Sequence, residues 1–264
     1  MTKTLLMVHG IGCGGEVWDP VVPYFEAAGW ACHAPSLFPD QRVATDPPAS
    51  LPNLSFDDYV AAIRCEARTL AEKTGQKPAI IGHSMGALIA QVLSASGDVS
   101  TAIFLTPAQP KDCIKISASV VWTFANILAR GTQAGRKLPH KIWKRGFTWG
   151  VLNAVPKERH DALYALAVYD SGRVYGDISD GVDIDETDIS IPTLTVGAVR
   201  DRATPIGAVR KVGRKYARSP APGDFLEYPE HAHWILDEPG SEKVFADITA
   251  WLNRKTALRT AEAG

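Results

Sequence analysis

The sequence predicts an α/β fold with a mostly or all-parallel core sheet of about six strands, helices on both faces and one helical insertion. Three observations carry that prediction. Short continuous apolar runs alternate with stretches of helical spacing, the pattern of strands buried on both faces of a parallel sheet. A Gly-x-Ser-x-Gly pentapeptide lies directly between one such run and one such helix. The alternation then lapses over residues 108–188 and afterwards resumes.

Taken in order, Leu5-Leu6-Met7-Val8 reads as a buried strand ending in the tight turn His9-Gly10. Helical spacing from Trp18 to Ala28 stops at Gly29. Ala31 to Ala34 is a short strand ended by Pro35, and a loop rich in proline and aspartate follows from Pro39 to Pro52. Ser55 is placed to N-cap a helix from Phe56 to Lys73, closed by Gly75. Pro78 to Gly82 is a strand, Met85 to Ser94 a helix with no room for a loop before it, and Thr101 to Leu105 a strand. Pro192 to Val199 and Phe225 to Tyr228 complete six strands. Phe245 to Asn253 is an amphipathic closing helix, followed by a polar tail. The chain therefore divides into a core, residues 1–107 and 189–264, and a helical cap, residues 108–188. The cap shows no convincing strand and is rich in aromatics, among them Trp122, Trp143, Phe147 and Trp149.

With 264 residues, 45% hydrophobic and 22% charged, the chain fits one large globular unit. Its net charge of −1 offers no field for nucleic acid or an anionic membrane surface, and the basic clusters Arg130–Arg145 and Arg210–Arg218 read as solvated helix faces. Cysteines 13, 32, 65 and 113 form no C-x-x-C pair, no disulfide framework and no zinc set. The N-terminal apolar run is too short for a signal segment, and Ile116 to Ala129 is too short and polar to span a bilayer. The expectation is a soluble cytoplasmic protein; nothing in the pattern fixes its oligomeric state.

Gly82-His83-Ser84-Met85-Gly86 is the feature that carries chemistry. The bare pattern is weakly specific, but its place between strand and helix is that of a nucleophile elbow. So sharp a turn strains the serine and brings the residues two before and two after too close for side chains, which explains both glycines. The N-terminus of the following helix would favour a developing oxyanion, for which the Met85 N–H and a donor from His9-Gly10-Ile11-Gly12, with Ile11 the expected one, form the hole. His9 reads as a loop-shaping residue, and Cys13 has no separate base to make it a nucleophile.

Of seven histidines, His83 is locked in the elbow, His33 reads as a satisfied core residue, and His140 and His160 read as solvated. His233 is the expected base, in the loop before the final helix, with His231 the alternative. His231-Ala232-His233 has H-x-H metal spacing but no companion ligands. The acid should follow a strand and precede the histidine, which places Asp201 after Val196–Val199; Asp112 is the alternative. Asp170, Asp177, Asp180, Asp183, Asp185 and Asp188 suit surface roles better.

With His9-Gly10 followed by Trp18, the elbow at Ser84, Val196-Gly197 leading to Asp201, and His233-Trp234 through Glu238-Pro239, the chain resembles the α/β-hydrolase superfamily along nearly its whole length. The order Ser84, Asp201, His233 is that fold's own. The resemblance implies a small carboxylesterase-like serine hydrolase acting without cofactor or metal on a small to medium hydrophobic ester. Thioesterase, lactonase and carbon–carbon bond hydrolase chemistry fit the same triad, and hydroxynitrile lyases and weakly catalytic ligand receptors are relatives of another class. Two departures stand out. The family's first two antiparallel strands are missing, and Ala232 precedes the histidine where glycine is common.

Overall fold

A computed structural model describes residues 3–262; residues 1–2 and 263–264, the extremes of the predicted core, lie outside the described residues. Four strands come first: β1 (Lys3–Val8), β2 (Trp30–His33), β3 (Ala79–His83) and β4 (Thr101–Leu105). After the insertion, with its short β5 (Pro139–His140) and β6 (Asp170–Ser171), come β7 (Thr193–Ala198) and β8 (Asp224–Tyr228). The main sheet has the order β2-β1-β3-β4-β7-β8, and every pairing in it is parallel. The predicted six-stranded parallel core is therefore what forms.

Apolar side chains leave the sheet alternately on its two faces. Leu5, Met7, Ile81 and Ile103 belong to one buried cluster, and Leu6, Val8, Ile80 and Phe104 to the other. Helices α1 (Val22–Glu26), α2 (Phe56–Thr74) and α3 (Met85–Ala95) accompany the first strands. Ser55 caps α2 through a reciprocal pair with Asp58, and Gly75 ends it at φ 74°. Val8 pairs with Gly82, and Gly82 with Phe104, so β1, β3 and β4 end level. The loops after them meet outside the carboxyl ends of the strands, where open α/β sheets bind ligands.

Two helix boundaries differ from the sequence reading. The stretch from Trp18 to Ala28 is a 3-10 turn, Gly15–Trp18, followed by the five-residue α1. Pro20 and Pro23 explain the break, because proline is tolerated only in a helix's first turn. The final helix, α11 below, runs Ser241–Glu262, well past Asn253, since residues 254–262 hold no glycine or proline to stop it.

Between β4 and β7 the insertion carries α4 (Ala118–Thr123), α5 (Ala125–Leu128), α6 (Thr132–Gly135), α7 (Lys144–Gly146), α8 (His160–Ala165) and α9 (Gly172–Asp180), with a π-helical turn at Phe147–Val151. Its one pair of strands, β5 and β6, is a two-residue antiparallel bridge. Helices α10 (Ile206–Tyr216) and α11 (Ser241–Glu262) complete the chain. Among the described residues no helix is long and apolar enough to cross a membrane.

Candidate active site

Ser84 sits between β3 and α3 at φ 55°, ψ −117°, a backbone strained for any residue but glycine. The neighbouring glycines show why the turn can close. A Cβ on Gly82 would lie 2.1 Å from the Gly86 carbonyl oxygen, and one on Gly86 would lie 2.2 Å from that of Val8. The strain holds Ser84 above the sheet at the positive end of α3.

His233 and Asp201 reach Ser84 from separate loops. His233 Nε2 is 3.1 Å from Ser84 Oγ, and His233 Nδ1 is 2.8 Å from Asp201 Oδ2. All three residues are buried. Asp201 is held from its far side: Oδ1 accepts from the Ala203 and Thr204 backbone N–H groups at 2.8 and 2.7 Å. Thr204 Oγ1 donates to Oδ2 at 2.6 Å. A carboxylate so placed keeps the imidazole in the tautomer with Nδ1–H toward Asp201 and the Nε2 lone pair toward the serine hydroxyl.

The two alternatives lie elsewhere. His231 faces Glu238, with Nδ1 3.2 Å from its carboxylate, and Asp112 accepts from Lys215 Nζ at 2.7 Å. Met85 is the first residue of α3, and Ile11 lines the cavity over Ser84. Gly10 separates the loop from the elbow: a Cβ there would come within 3.2 Å of Ser84 Cβ. Among the described residues no group of three His, Cys, Asp or Glu could hold a metal ion.

The cavity over Ser84 measures only about 20 Å³, room for about one water. Its roof is apolar and comes from the insertion, with Phe124, Ile142, Phe147 and Val151 facing Ile11 and Cys13. Phe147 packs edge-on against Trp234, beside His233, with centroids 6.0 Å apart. Asn153 donates to the Arg200 carbonyl at 2.9 Å, and Arg159 pairs with Asp237, so the insertion is fastened to the loops carrying Asp201 and His233.

Several contributors were not recognised in the sequence. His83 Nε2 donates to the His233 carbonyl at 2.8 Å and fixes the backbone under that ring. Arg42 and Asp170, both buried, form an ion pair: Arg42 Nε and Nη2 donate to the two Asp170 oxygens at 2.7 and 2.8 Å. Asp170 also accepts from the Gly12 N–H and the Tyr59 hydroxyl, and Arg42 donates to the Cys13 carbonyl and to His9 Nε2. This network clamps the loop after β1 to the insertion's β6. Asp170 is thus no surface residue, a correction to the sequence reading. The carboxylate's contacts come from Arg42, 128 positions away, so no local pattern announces them. Burial opposes the charge on Arg42, but Asp170 more than offsets it and holds the guanidinium above its usual range.

Other histidines differ from expectation too. His140 is buried and bonded to the Gly135 carbonyl at 2.9 Å, and His160 is partly buried on the Val155 carbonyl. Their imidazoles satisfy loop carbonyls instead of facing water. His33, on the edge strand β2, is partly exposed and pairs with Glu66 at 2.9 Å. Burial pushes the Cys13 thiol up to about 12, which leaves it protonated and a poor nucleophile.

Two predictions follow from this framework. Asp170→Asn would leave Arg42 buried without its counter-charge, at a cost of about 3–5 kcal/mol. Urea unfolding should show that loss, and a loss below about 1 kcal/mol would mean that the clamp contributes little. The second concerns pH. Burial, with Arg42 beside His9 and His233 beside His83, lowers both imidazoles to about 3. In the unfolded chain they titrate near 6.5. Below that value the unfolded state gains protons that the native state refuses, so stability is complete above about 6.5 and falls as pH drops toward 3. From about pH 7.5 to about pH 5.5 the melting temperature should drop by roughly 5 °C or more, before carboxylates titrate. A level profile would contradict the neutral buried histidines.

The sequence matches the model of a family described as "Alpha/beta hydrolase family" over residues 5–247. No curated protein sequence shows significant similarity to the chain. Among solved structures it is similar to a monoacylglycerol lipase from Paleococcus ferrophilus, with TM-score 0.67 and 19% identity over 94% of this chain and 93% of the other. A methylesterase from Arabidopsis gives TM-score 0.70 and 15% identity, covering 95% and 99%. Tomato methylketone synthase I, complexed with 2-tridecanone, gives 0.69 and 19%, covering 97% and 99%. At these identities the likeness is one of fold.

Proposed function

The chain belongs to the alpha/beta hydrolase family, and from that premise we propose that it is a serine hydrolase acting on carboxylic esters. The observation that carries the reading is the unbroken relay Ser84 Oγ, His233 Nε2, His233 Nδ1, Asp201 Oδ2, with links of 3.1 and 2.8 Å in a buried site. A serine hydroxyl is a weak nucleophile until a base takes its proton, and a base alone can adopt the wrong tautomer. Here the third group corrects that.

In the proposed reaction His233 removes the Ser84 proton as Oγ attacks the ester carbonyl. The Ile11 and Met85 N–H groups hold the oxyanion, each worth about 3 kcal/mol of transition-state stabilisation. His233 then gives its proton to the departing alkoxide, leaving an acyl-serine. A water enters, His233 takes one proton from it, and collapse of the second tetrahedral intermediate frees the acid and restores the Ser84 hydroxyl. The scheme uses no metal or organic cofactor.

Residues 108–188 are proposed as a cap over this site. The apolar roof of Phe124, Ile142, Phe147 and Val151 favours a hydrophobic acyl or alcohol group of small to medium size. The narrowness of the cavity implies that side chains of the proposed cap move aside to admit substrate. The lipase and methylesterase among its structural neighbours are consistent with ester chemistry. The test is turnover of a panel of p-nitrophenyl esters of increasing acyl length, beside matched thioesters and lactones. Hydrolysis of short or medium esters supports the reading. Turnover of thioesters or lactones alone would move the substrate class, and release of aldehyde from a cyanohydrin would favour lyase chemistry.

A further inference from the structure

The net charge of −1 conceals an uneven distribution. Residues 113–157 hold five lysines and three arginines and not one aspartate or glutamate. The other 20 lysines and arginines share the rest of the chain with all 29 acidic residues. This basic segment also carries most of the large apolar side chains that face water. Ile116 is 77% exposed, Trp122 49% and Trp149 38%, and Val121, Leu128 and Leu138 are exposed as well.

Part of this surface is one continuous face. The rings of Trp122 and Trp149 meet edge-on with centroids 6.5 Å apart, and Trp122 also meets Trp143. The Arg202 guanidinium lies 4.3 Å from the Trp149 ring centroid. Lys144, Arg145, Lys157 and Arg200 line a groove together with Trp149 and Arg202. Three acids stand in it or beside it: Asp161 pairs with Lys144, Glu230 pairs with Arg200, and the exposed Glu158 follows Lys157. Arg145, Lys157 and Arg202 leave the face cationic. Packing covers only part of Trp122 and Trp149, and their apolar bodies and polar N–H groups suit a boundary between water and hydrocarbon. Cations in the same face supply charge complementarity to anionic headgroups.

We propose that this outer face of the insertion docks on an anionic lipid bilayer, with Trp122 and Trp149 entering the headgroup region and Lys144, Arg145, Lys157 and Arg202 meeting lipid phosphates. The same segment also lines the cavity over Ser84, through Phe124 and Phe147. The proposal stands apart from the ester reading, because binding is scored without turnover.

The experiment is co-sedimentation of the full chain with large vesicles of phosphatidylcholine alone, or with roughly 30% phosphatidylglycerol. Partition onto the anionic vesicles should be stronger by at least about tenfold and should fall steeply as salt rises to about 0.5 M. The pair Lys144→Glu and Arg145→Glu should weaken it on the order of tenfold, and so should Trp122→Ser with Trp149→Ser. Lys73→Glu with Arg254→Glu, the same charge change away from the insertion, should leave it unaltered. Equal partition onto neutral vesicles, no partition, or indifference to the Lys144 and Arg145 changes would overturn the proposal. So would self-association lost in Trp122→Ser with Trp149→Ser and no vesicle binding, which would assign the face to a second copy of the chain. If a variant fails to fold, the lipid and salt dependence of the wild-type protein still decides.

Discussion

Ser84→Ala should lower kcat for ester hydrolysis on the order of a million-fold while leaving KM and the melting temperature close to wild type. The rate loss follows from removing the Ser84 Oγ that lies 3.1 Å from His233 Nε2 in the proposed relay. A residual rate of roughly a thousand-fold over water is expected, because the proposed Ile11 and Met85 donors and the pocket survive. Folding should tolerate the change well. The strain lies in the backbone at φ 55°, which alanine feels as serine does, and the hydroxyl makes no bond to the neighbouring backbone. A variant that keeps more than about a tenth of wild-type turnover would put the nucleophile elsewhere.

Asp201→Asn should lower kcat about ten-thousand-fold with little change in KM. The hydrogen bonds around the carboxylate dictate how. The backbone N–H groups of Ala203 and Thr204 both point at Oδ1, so the amide oxygen must keep that place. The new NH2 then occupies the Oδ2 position, 2.8 Å from His233 Nδ1. It can only donate there, which forces Nδ1 to accept and moves the ring proton to Nε2. His233 would then present an N–H to Ser84 and have no lone pair to take its proton. Steady-state kinetics would show a kcat collapse at constant KM. A fall confined to KM would mean that Asp201 helps bind substrate and does not orient the base.

What the sequence made legible were features written in neighbouring residues. The elbow is one, because Ala79–His83, Ser84 and Met85–Ala95 are contiguous and each glycine's absence of a side chain has a visible cause. The strands are another, since burial on both faces makes the inner strands β1, β3, β4 and β7 largely apolar runs, while the edge strands β2 and β8 are only partly buried. Asp201 and His233 could be picked out because each lies in the loop after a recognisable strand, and the structure brings both to Ser84. Distant pairings were illegible. Arg42 meets Asp170 across 128 positions, and the Asp170 contacts exist only once the insertion folds back on β1's loop. Two proline positions shortened the helix after Trp18, a local rule that apolar spacing alone overrides on paper but not in the chain. The insertion's helices are mostly three to six residues long, too short for periodicity to register.

The most direct test of the central claim is intact-mass spectrometry after exposure to a fluorophosphonate, with Ser84→Ala alongside. The account predicts one phosphonyl adduct on the wild-type protein and none on the variant, since only a serine paired with a working base attacks that phosphorus. No adduct on a folded wild-type sample, or an adduct that persists in Ser84→Ala, would contradict it.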